Sequence, residues 1–292
     1  MRDLQIILER NREHYKHYNE KMPRIGEFVM GYRWMMAADT DGAISLALRV
    51  GREKDAARYQ EILQSHIGQD VDQCLEELIE ENDPDCREIA VSLSNLMSKP
   101  FNTKERLADR GILRTEGLNF RYEVAGKKVG IIGYGLYNNF FLGKCSEFHA
   151  FDFRSEREVL NRRITAEGTD IFPQNIVWHL GKNALESPEV LKELDIVIMT
   201  GCTIVNDTYR EILACCEKAQ IRGIYGPSAE LCPEYLFDLG YNYIFSASVR
   251  DKETYLASTF APVPMGNDLA YMDLYELTRR ESVGTSSICN RK

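Results

Sequence analysis

The 292-residue sequence lacks several common signals. No apolar run approaches the about 20 residues that span a bilayer. The opening residues, Met1 to Ile7, carry charge and no signal-peptide core, so the expected compartment is the cytoplasm. No Cys-x-x-Cys pair occurs among the eight cysteines, Cys74, Cys86, Cys145, Cys202, Cys215, Cys216, Cys232 and Cys289. That spacing excludes a zinc ribbon, and the expected compartment disfavours a disulfide framework. There is no Gly-x-Ser-x-Gly, no Walker loop and no His-Glu-x-x-His, so spacing alone assigns no reaction. Basic charge is in deficit: Lys plus Arg number 36 against 45 Asp plus Glu, a net charge of −9. An acidic chain argues against a general nucleic-acid or anionic-membrane binder.

What is present is an ordinary globular balance, 44% hydrophobic and 28% charged, in a chain long enough for two domains. Residues 2–22 carry Leu4, Ile7, Leu8, Tyr15, Tyr18 and Met22 at three- and four-residue steps, which predicts a helix ended by Pro23. Phe28 to Met36 and Ile44 to Val50 alternate around an Asp39–Gly42 turn, which predicts a β-hairpin. Helical patterns follow over 52–67 and 70–81. A third starts at Asp83-Pro84 and runs to about Ser98. A polar connector runs to Gly117.

The second half changes rhythm. Short apolar strands at 127–132, 148–152, 175–179, 195–200, ending at 223–226, and at 243–247 alternate with helical patterns. Strands apolar on both faces predict a mostly parallel sheet covered by helices, an α/β unit. The expected division is a smaller α+β domain over 1–122 and a Rossmann-like domain over 123–292. Residues 283–292 read as a loose tail.

Three loops at strand ends carry small or polar residues. Gly133, Tyr134, Gly135 and Asn138 follow the first strand in the spacing of a dinucleotide fingerprint, with Asn138 in place of the third glycine. Asp152, at the end of the next strand, stands where an acid would bind a ribose hydroxyl. The alternative is a tight turn with a solvated Asp. Thr200, Gly201, Cys202, Thr203 and Asn206 leave the fourth strand, with Asn206 expected to cap the following helix. Gly226, Pro227 and Ser228 leave the fifth. In an open α/β sheet, ligands bind at the carboxyl ends of strands, so three such loops would share one cleft. Cys202 and Cys232 are the metal candidates because they lie on these loops. Buried small hydrophobes are the simpler reading for either one. His14 and His17 read as part of a solvated helix face, and His149 as a core histidine.

The segments 195–208, 226–233 and 246–253, from Asp195 to Thr208, Gly226 to Pro233 and Ser246 to Glu253, resemble the Rossmann-like "putative heavy-metal chelation" family. The N-terminal half resembles that family's enolase N-terminal-like partner domain, through Gly31 to Trp34, Gly42 to Ala47 and the stretch around Asn95. The sequence departs at its Gly-Tyr-Gly loop and at an extra helix near 51–67. The resemblance implies a site between two domains and a link to metal or chelator metabolism. Asn95 is the expected contact from the first domain.

The resulting expectation is a small anionic or amino-acid-like ligand, a metal chelator or a nucleoside cofactor, held between the domains. The alternatives are an S-adenosylmethionine-dependent transferase, using Gly133, Gly135 and Asp152, and a metal-binding accessory protein. S-adenosylmethionine and a metal ion are thus the candidate cofactors. A homodimer is the commonest soluble assembly and the default expectation.

Overall fold

The computed structural model describes residues 1–50, 56–135, 137–182, 184–185, 188–260 and 271–280. The expected tail over 283–292 and Cys289 lie outside these residues, as does the start of the helix expected at 52.

The first helix, α1 (Arg2–Tyr18), buries Leu4, Ile7, Leu8, Asn11 and Tyr15 along one stripe. It stops earlier than the apolar pattern suggested. Asn19 turns the chain into the left-handed region at φ 52°, and its N–H returns to the last helical carbonyls. The expected hairpin is a three-stranded antiparallel sheet: β1 (Ile25–Met30), β2 (Trp34–Asp39) and β3 (Ile44–Leu48), in that order. The run Phe28–Met36 is broken because the chain reverses at Gly31–Arg33, where the Gly31 N–H donates to the Trp34 carbonyl at 2.9 Å. Asp39 closes the next turn by accepting from the N–H groups of Asp41 and Ala43.

Helices α2 (Ala56–Ser65), α3 (Val71–Glu81) and α4 (Arg87–Ser98) follow. Asp83 caps the short Pro84–Cys86 turn leading into α4, as expected. Every residue of α4 is buried. A helix enclosed on all sides belongs at the centre of a protein rather than on a face. The polar connector holds two elements that its composition concealed, α5 (Lys104–Asp109) and β4 (Ile112–Glu116).

The second sheet has eight strands. Those of the central run are β5 (Lys128–Ile132), β6 (Glu147–Asp152), β9 (Val177–Leu180), β10 (Ile196–Thr200), β11 (Ile221–Tyr225) and β12 (Tyr243–Val249). Between them lie α6 (Asn138–Phe141), α7 (Glu156–Val159), α8 (Pro188–Lys192), α9 (Cys202–Val205), α10 (Tyr209–Cys215) and α11 (Pro233–Asp238). An exposed hairpin, β7 (Asn161–Thr165) with β8 (Gly168–Phe172), stands apart as its own two-stranded sheet. After α12 (Lys252–Thr259), β13 (Met272–Arg279) returns antiparallel to β12 and pairs with β4. The order is β4-β13-β12-β11-β10-β5-β6-β9, parallel from β12 to β9. The mostly parallel α/β sheet expected from the strand rhythm is therefore present. β4 lies before the division expected near residue 122 yet belongs to this sheet.

Chain order runs from β5 outward through β6 to β9, then crosses back to β10 on the other side of β5. The direction of winding thus reverses between β5 and β10. Such a switch point leaves a crevice outside the carboxyl ends of the two strands. The apolar core crosses from one half to the other. Leu4, Ile89 and Leu93 share a buried cluster with Val197, Ile204, Leu236 and Tyr275. Met36 and Leu46 share another with Val249 and Met272. No helix among the described residues is long and apolar enough to cross a membrane.

Candidate functional site

The switch point places the first two loops side by side. Gly133 has φ +85°, and an added Cβ would lie 2.6 Å from Thr200 Cγ2. Only glycine allows β5 to end this close to β10. The Tyr225 hydroxyl, from the end of β11, donates to the Gly133 carbonyl. The Gly201 N–H donates to the Tyr225 carbonyl at 2.6 Å. The third loop is packed as tightly, because a Cβ on Gly201 would meet Ala229 N at 2.8 Å. The three loops thus pack against one another at the ends of β5, β10 and β11.

They divide into two chemical roles. Ser228, Thr203 and Asn95 are buried. The Leu48 N–H donates to Ser228 Oγ at 2.8 Å. Asn95 Nδ2 donates to the carbonyls of Leu46 and Pro227, at 2.7 and 3.1 Å. Thr203 Oγ1 donates to the Thr200 carbonyl at 2.8 Å. Ser228 and Asn95 tie the third loop and α4 to β3 and build the junction, while Thr203 closes the second loop on itself. Asn138 is also buried. Gly226 and Pro227 shape the turn that delivers Ser228.

The other residues keep some exposure: Gly133, Tyr134, Gly135, Asp152, Thr200, Cys202 and Tyr225. Thr200 Oγ1 donates to Cys202 Sγ at 3.0 Å. Burial pushes the Cys202 thiol up to about 11, helped by the negative charge of Asp152 and opposed by the Thr200 hydrogen bond and Arg33. It is therefore a protonated thiol near neutral pH. Burial likewise raises the Tyr225 hydroxyl, with Arg154 acting in the opposite sense. Arg33 and the Arg154–Asp152 ion pair are the charged groups beside this hydroxyl and thiol.

Asp152 is more engaged than the ribose reading requires. Its Oδ1 accepts from Arg154 N and Nε, at 2.9 and 3.0 Å. Its Oδ2 accepts from Tyr134 N and Arg154 Nη2, at 2.9 and 2.7 Å. Burial raises its pKa, and the Arg154 contacts outweigh burial and bring it below the usual range. Four donors on one carboxylate hold the glycine loop in place.

Two expectations of local structure need correction. The glycine loop and the Thr200 loop each enter a single helical turn, α6 and α9, of four residues. Neither turn is a helix long enough to lend its dipole to an anion. Asn206 does not cap α10 directly. Its Oδ1 accepts from Thr208 N and Oγ1, a side-chain turn one step before the helix.

The two candidate cysteines sit in different settings. Cys202 Sγ lies against Thr200, whereas Cys232 Sγ donates to Glu234 Oε2 at 3.1 Å, beside His14. His14, Cys232 and Glu234 are the one group of three or more His, Cys, Asp or Glu side chains among the described residues able to hold a metal ion. His14 is correspondingly not on a solvated face, for its side chain is 17% exposed. His149 is buried, as expected, with Nδ1 3.0 Å from His179 Nε2.

Sequence reasoning passed over Glu230, on the third loop. It is buried against Lys99, Arg114, Ser248 and Tyr275. Lys99 Nζ donates to the carbonyls of Ile44 and Val249, so it bridges the two sheets above this acid. Burial raises the Glu230 pKa, despite Lys99 and Arg114. The folded state therefore holds a proton that the unfolded chain releases at the ordinary glutamate pKa. Stability should fall as pH rises from that ordinary value to the folded one. Glu230→Gln should flatten this fall, as measured by urea midpoints across acid to neutral pH. An unchanged pH slope would rule it out.

Residues 118–259 match the model of a family, DUF364, described as "Putative heavy-metal chelation". Two solved structures share the fold over nearly their whole length. One is a protein of unknown function from the DUF364 family of Pyrococcus horikoshii, with TM-score 0.64 and 17% identity, covering 94% of this chain and 98% of that one. The other is a DUF364 protein of unknown function from Desulfitobacterium hafniense DCB-2, with TM-score 0.65 and 15% identity, covering 91% and 98%. At such identities the likeness is one of fold. No curated protein matches the chain.

Proposed function

We propose, from the premise that residues 118–259 belong to the family described as "putative heavy-metal chelation", that this chain binds a small anionic, chelator-like molecule. The site lies outside the carboxyl ends of β5 and β10. One observation carries the reading: the sheet reverses its winding between these two strands, and their ends bring Gly133, Thr200 and Cys202 together. Gly135 is exposed there, with the Tyr225 hydroxyl 3.4 Å from the position of an added Cβ. Hydroxyl groups and a backbone without side chains suit a ligand rich in oxygen. Arg33, near enough to act electrostatically on Cys202, supplies the positive charge an anion would use, whereas Arg154 is paired with Asp152.

A nucleoside cofactor such as S-adenosylmethionine is the second candidate, and it meets an obstacle. The carboxylate a ribose would use already accepts from four donors. Binding a ribose there requires displacing Arg154, so a small polycarboxylate is favoured.

Isothermal titration with nitrilotriacetate, citrate and S-adenosylmethionine tests both readings. Nitrilotriacetate or citrate should bind. Arg33→Met and Thr200→Val should each weaken that binding about tenfold, the loss of one hydrogen bond or ion contact, with the melting temperature nearly unchanged. Heat from S-adenosylmethionine alone would move the assignment to the nucleoside. No binding, or binding that neither substitution weakens, would remove the site.

A further inference from the structure

We infer that His14, Cys232 and Glu234 form a second site, separate from the loop crevice, that takes a zinc-like divalent cation and fastens α1 to the start of α11. His14 comes from the N-terminal helix, and the other two come from the segment after the third loop. Their ligand atoms lie within 4.8 Å of one another. Glu234 Oε2 is 3.1 Å from Cys232 Sγ, and Glu234 Oε1 is 3.9 Å from His14 Nε2. Around a tetrahedral zinc, with ligand distances of 2.0 to 2.3 Å, neighbouring donors stand about 3.3–3.8 Å apart. The group needs to close by roughly 1 Å at its widest. One sulfur, one nitrogen and one oxygen make a borderline set, suited to zinc or cadmium and ill suited to magnesium or calcium. Three protein ligands leave the fourth position for water or an incoming donor.

The surroundings are arranged for ligation. Cys232 is 1% exposed, and its S–H points at the oxygen that would share the metal. The proton thus occupies the cation's place. Arg110 Nη1 holds the opposite oxygen, Glu234 Oε1, at 2.6 Å. A carboxylate oriented on one oxygen and free to ligate with the other is the usual outer-shell arrangement. Arg110 Nη1 also lies 3.4 Å from both ring nitrogens of His14, so it must turn aside towards Glu234 for the imidazole to face a cation. A ring nitrogen released from that contact offers the lone pair a metal requires. The Cys232 S–H is directed at Glu234 Oε2 until a cation displaces its proton. The exchange balances as Cys232–SH plus M²⁺ giving Cys232–S–M⁺ plus H⁺, and the proton leaves to solvent.

Cobalt(II) is the probe, added to the full chain under reducing conditions. One equivalent should produce a thiolate-to-cobalt charge-transfer band, release one proton, and raise the melting temperature because the metal joins two distant segments. Zinc should displace the cobalt and abolish the band. Cys232→Ser should lose the band and the proton. His14→Gln should weaken binding tenfold or more while keeping the fold, and it remains informative if the cysteine variant does not fold. Cys145→Ser should change nothing. A missing band in the unaltered chain, or an equal band in His14→Gln, overturns the site. Either failure leaves the anion reading at the loop crevice standing, because the two share no residue.

Discussion

Replacing Arg87 by Met should destabilise the protein by about 3–5 kcal/mol, the loss expected when one partner of a buried ion pair is removed. Arg87 and Asp3 side chains are each 5% exposed. The guanidinium meets both Asp3 oxygens, the Ile204 carbonyl at 2.9 Å and Asp207 Oδ1 at 3.2 Å. It therefore joins α1, α4 and the turn after β10 at a single point. Asp3 Oδ2 also accepts from the Tyr209 hydroxyl, which pairs with Tyr235 at 2.9 Å. Met fills similar volume but leaves Asp3 as a buried charge without its cation, held by the Tyr209 hydroxyl and the backbone N–H groups of Asp3 and Leu4. Burial alone would raise the Asp3 pKa, and the Arg87 contacts bring it below the usual value. The pair's contribution is thus complete above the unfolded aspartate pKa, and is lost as pH falls towards the folded one. Urea unfolding at neutral pH measures the loss. Asp3→Leu combined with Arg87→Met should recover much of it, since no uncompensated charge remains. A single-variant loss under about 1 kcal/mol, typical of a surface pair, would show that the network is not buried in solution.

The sequence made the parallel strands legible because each is apolar on both faces and bounded by a turn. The runs at 195–200 and 243–247 read as strands on that pattern, and the second extends two residues further, to Val249. β13 was missed for the opposite reason. Its residues Asp273, Glu276 and Arg279 break the apolar rhythm, although Met272, Tyr275 and Leu277 are buried. β4 was missed because a strand of Ile112, Leu113, Arg114, Thr115 and Glu116 at a sheet edge needs one apolar face only. The Phe28–Met36 run alternates throughout, so periodicity could not reveal the reversal at Gly31.

The loops were found from their residue types and their place after strands, and their convergence follows from strand order. What composition could not distinguish was the exposed subset from the buried one. Ser228 and Thr200 are both small and hydroxylated, yet the first is buried and bonds to Leu48, whereas the second is half-buried and donates to Cys202 Sγ. That difference arises from β3 and α4, which meet the third loop from elsewhere in the chain. The neighbours of Cys232 were equally hidden. His14 is far away in sequence, and nothing in the periodicity of α1 says which element covers its polar side.

Glu276 is the buried acid whose removal should have the second large effect. Its Oε1 accepts three hydrogen bonds, from Asn119 N at 2.6 Å, Phe120 N at 2.8 Å and the Tyr243 hydroxyl at 2.8 Å. Tyr243 in turn meets the Tyr137 hydroxyl at 3.2 Å. One carboxylate oxygen on β13 therefore fixes the chain between β4 and β5 and closes an aromatic cluster of Phe120, Tyr137, Phe141 and Tyr243. The backbone at Phe120 is held at φ +33°, an unfavourable region for a bulky residue, so something must secure it. Glu276→Ala removes the acceptor of two buried donors, Phe120 N and the Tyr243 hydroxyl, and of the more exposed Asn119 N; at about 1–3 kcal/mol for each buried donor left unpaired it should cost about 2–6 kcal/mol in total. Glu276→Gln keeps one carbonyl oxygen in the same place and should cost much less, about 1–2 kcal/mol for exchanging a charged acceptor for a neutral one. The ratio of these two losses in denaturant unfolding is the decisive quantity. Equal losses would mean that charge, rather than acceptance from Asn119, Phe120 and Tyr243, is what the position contributes.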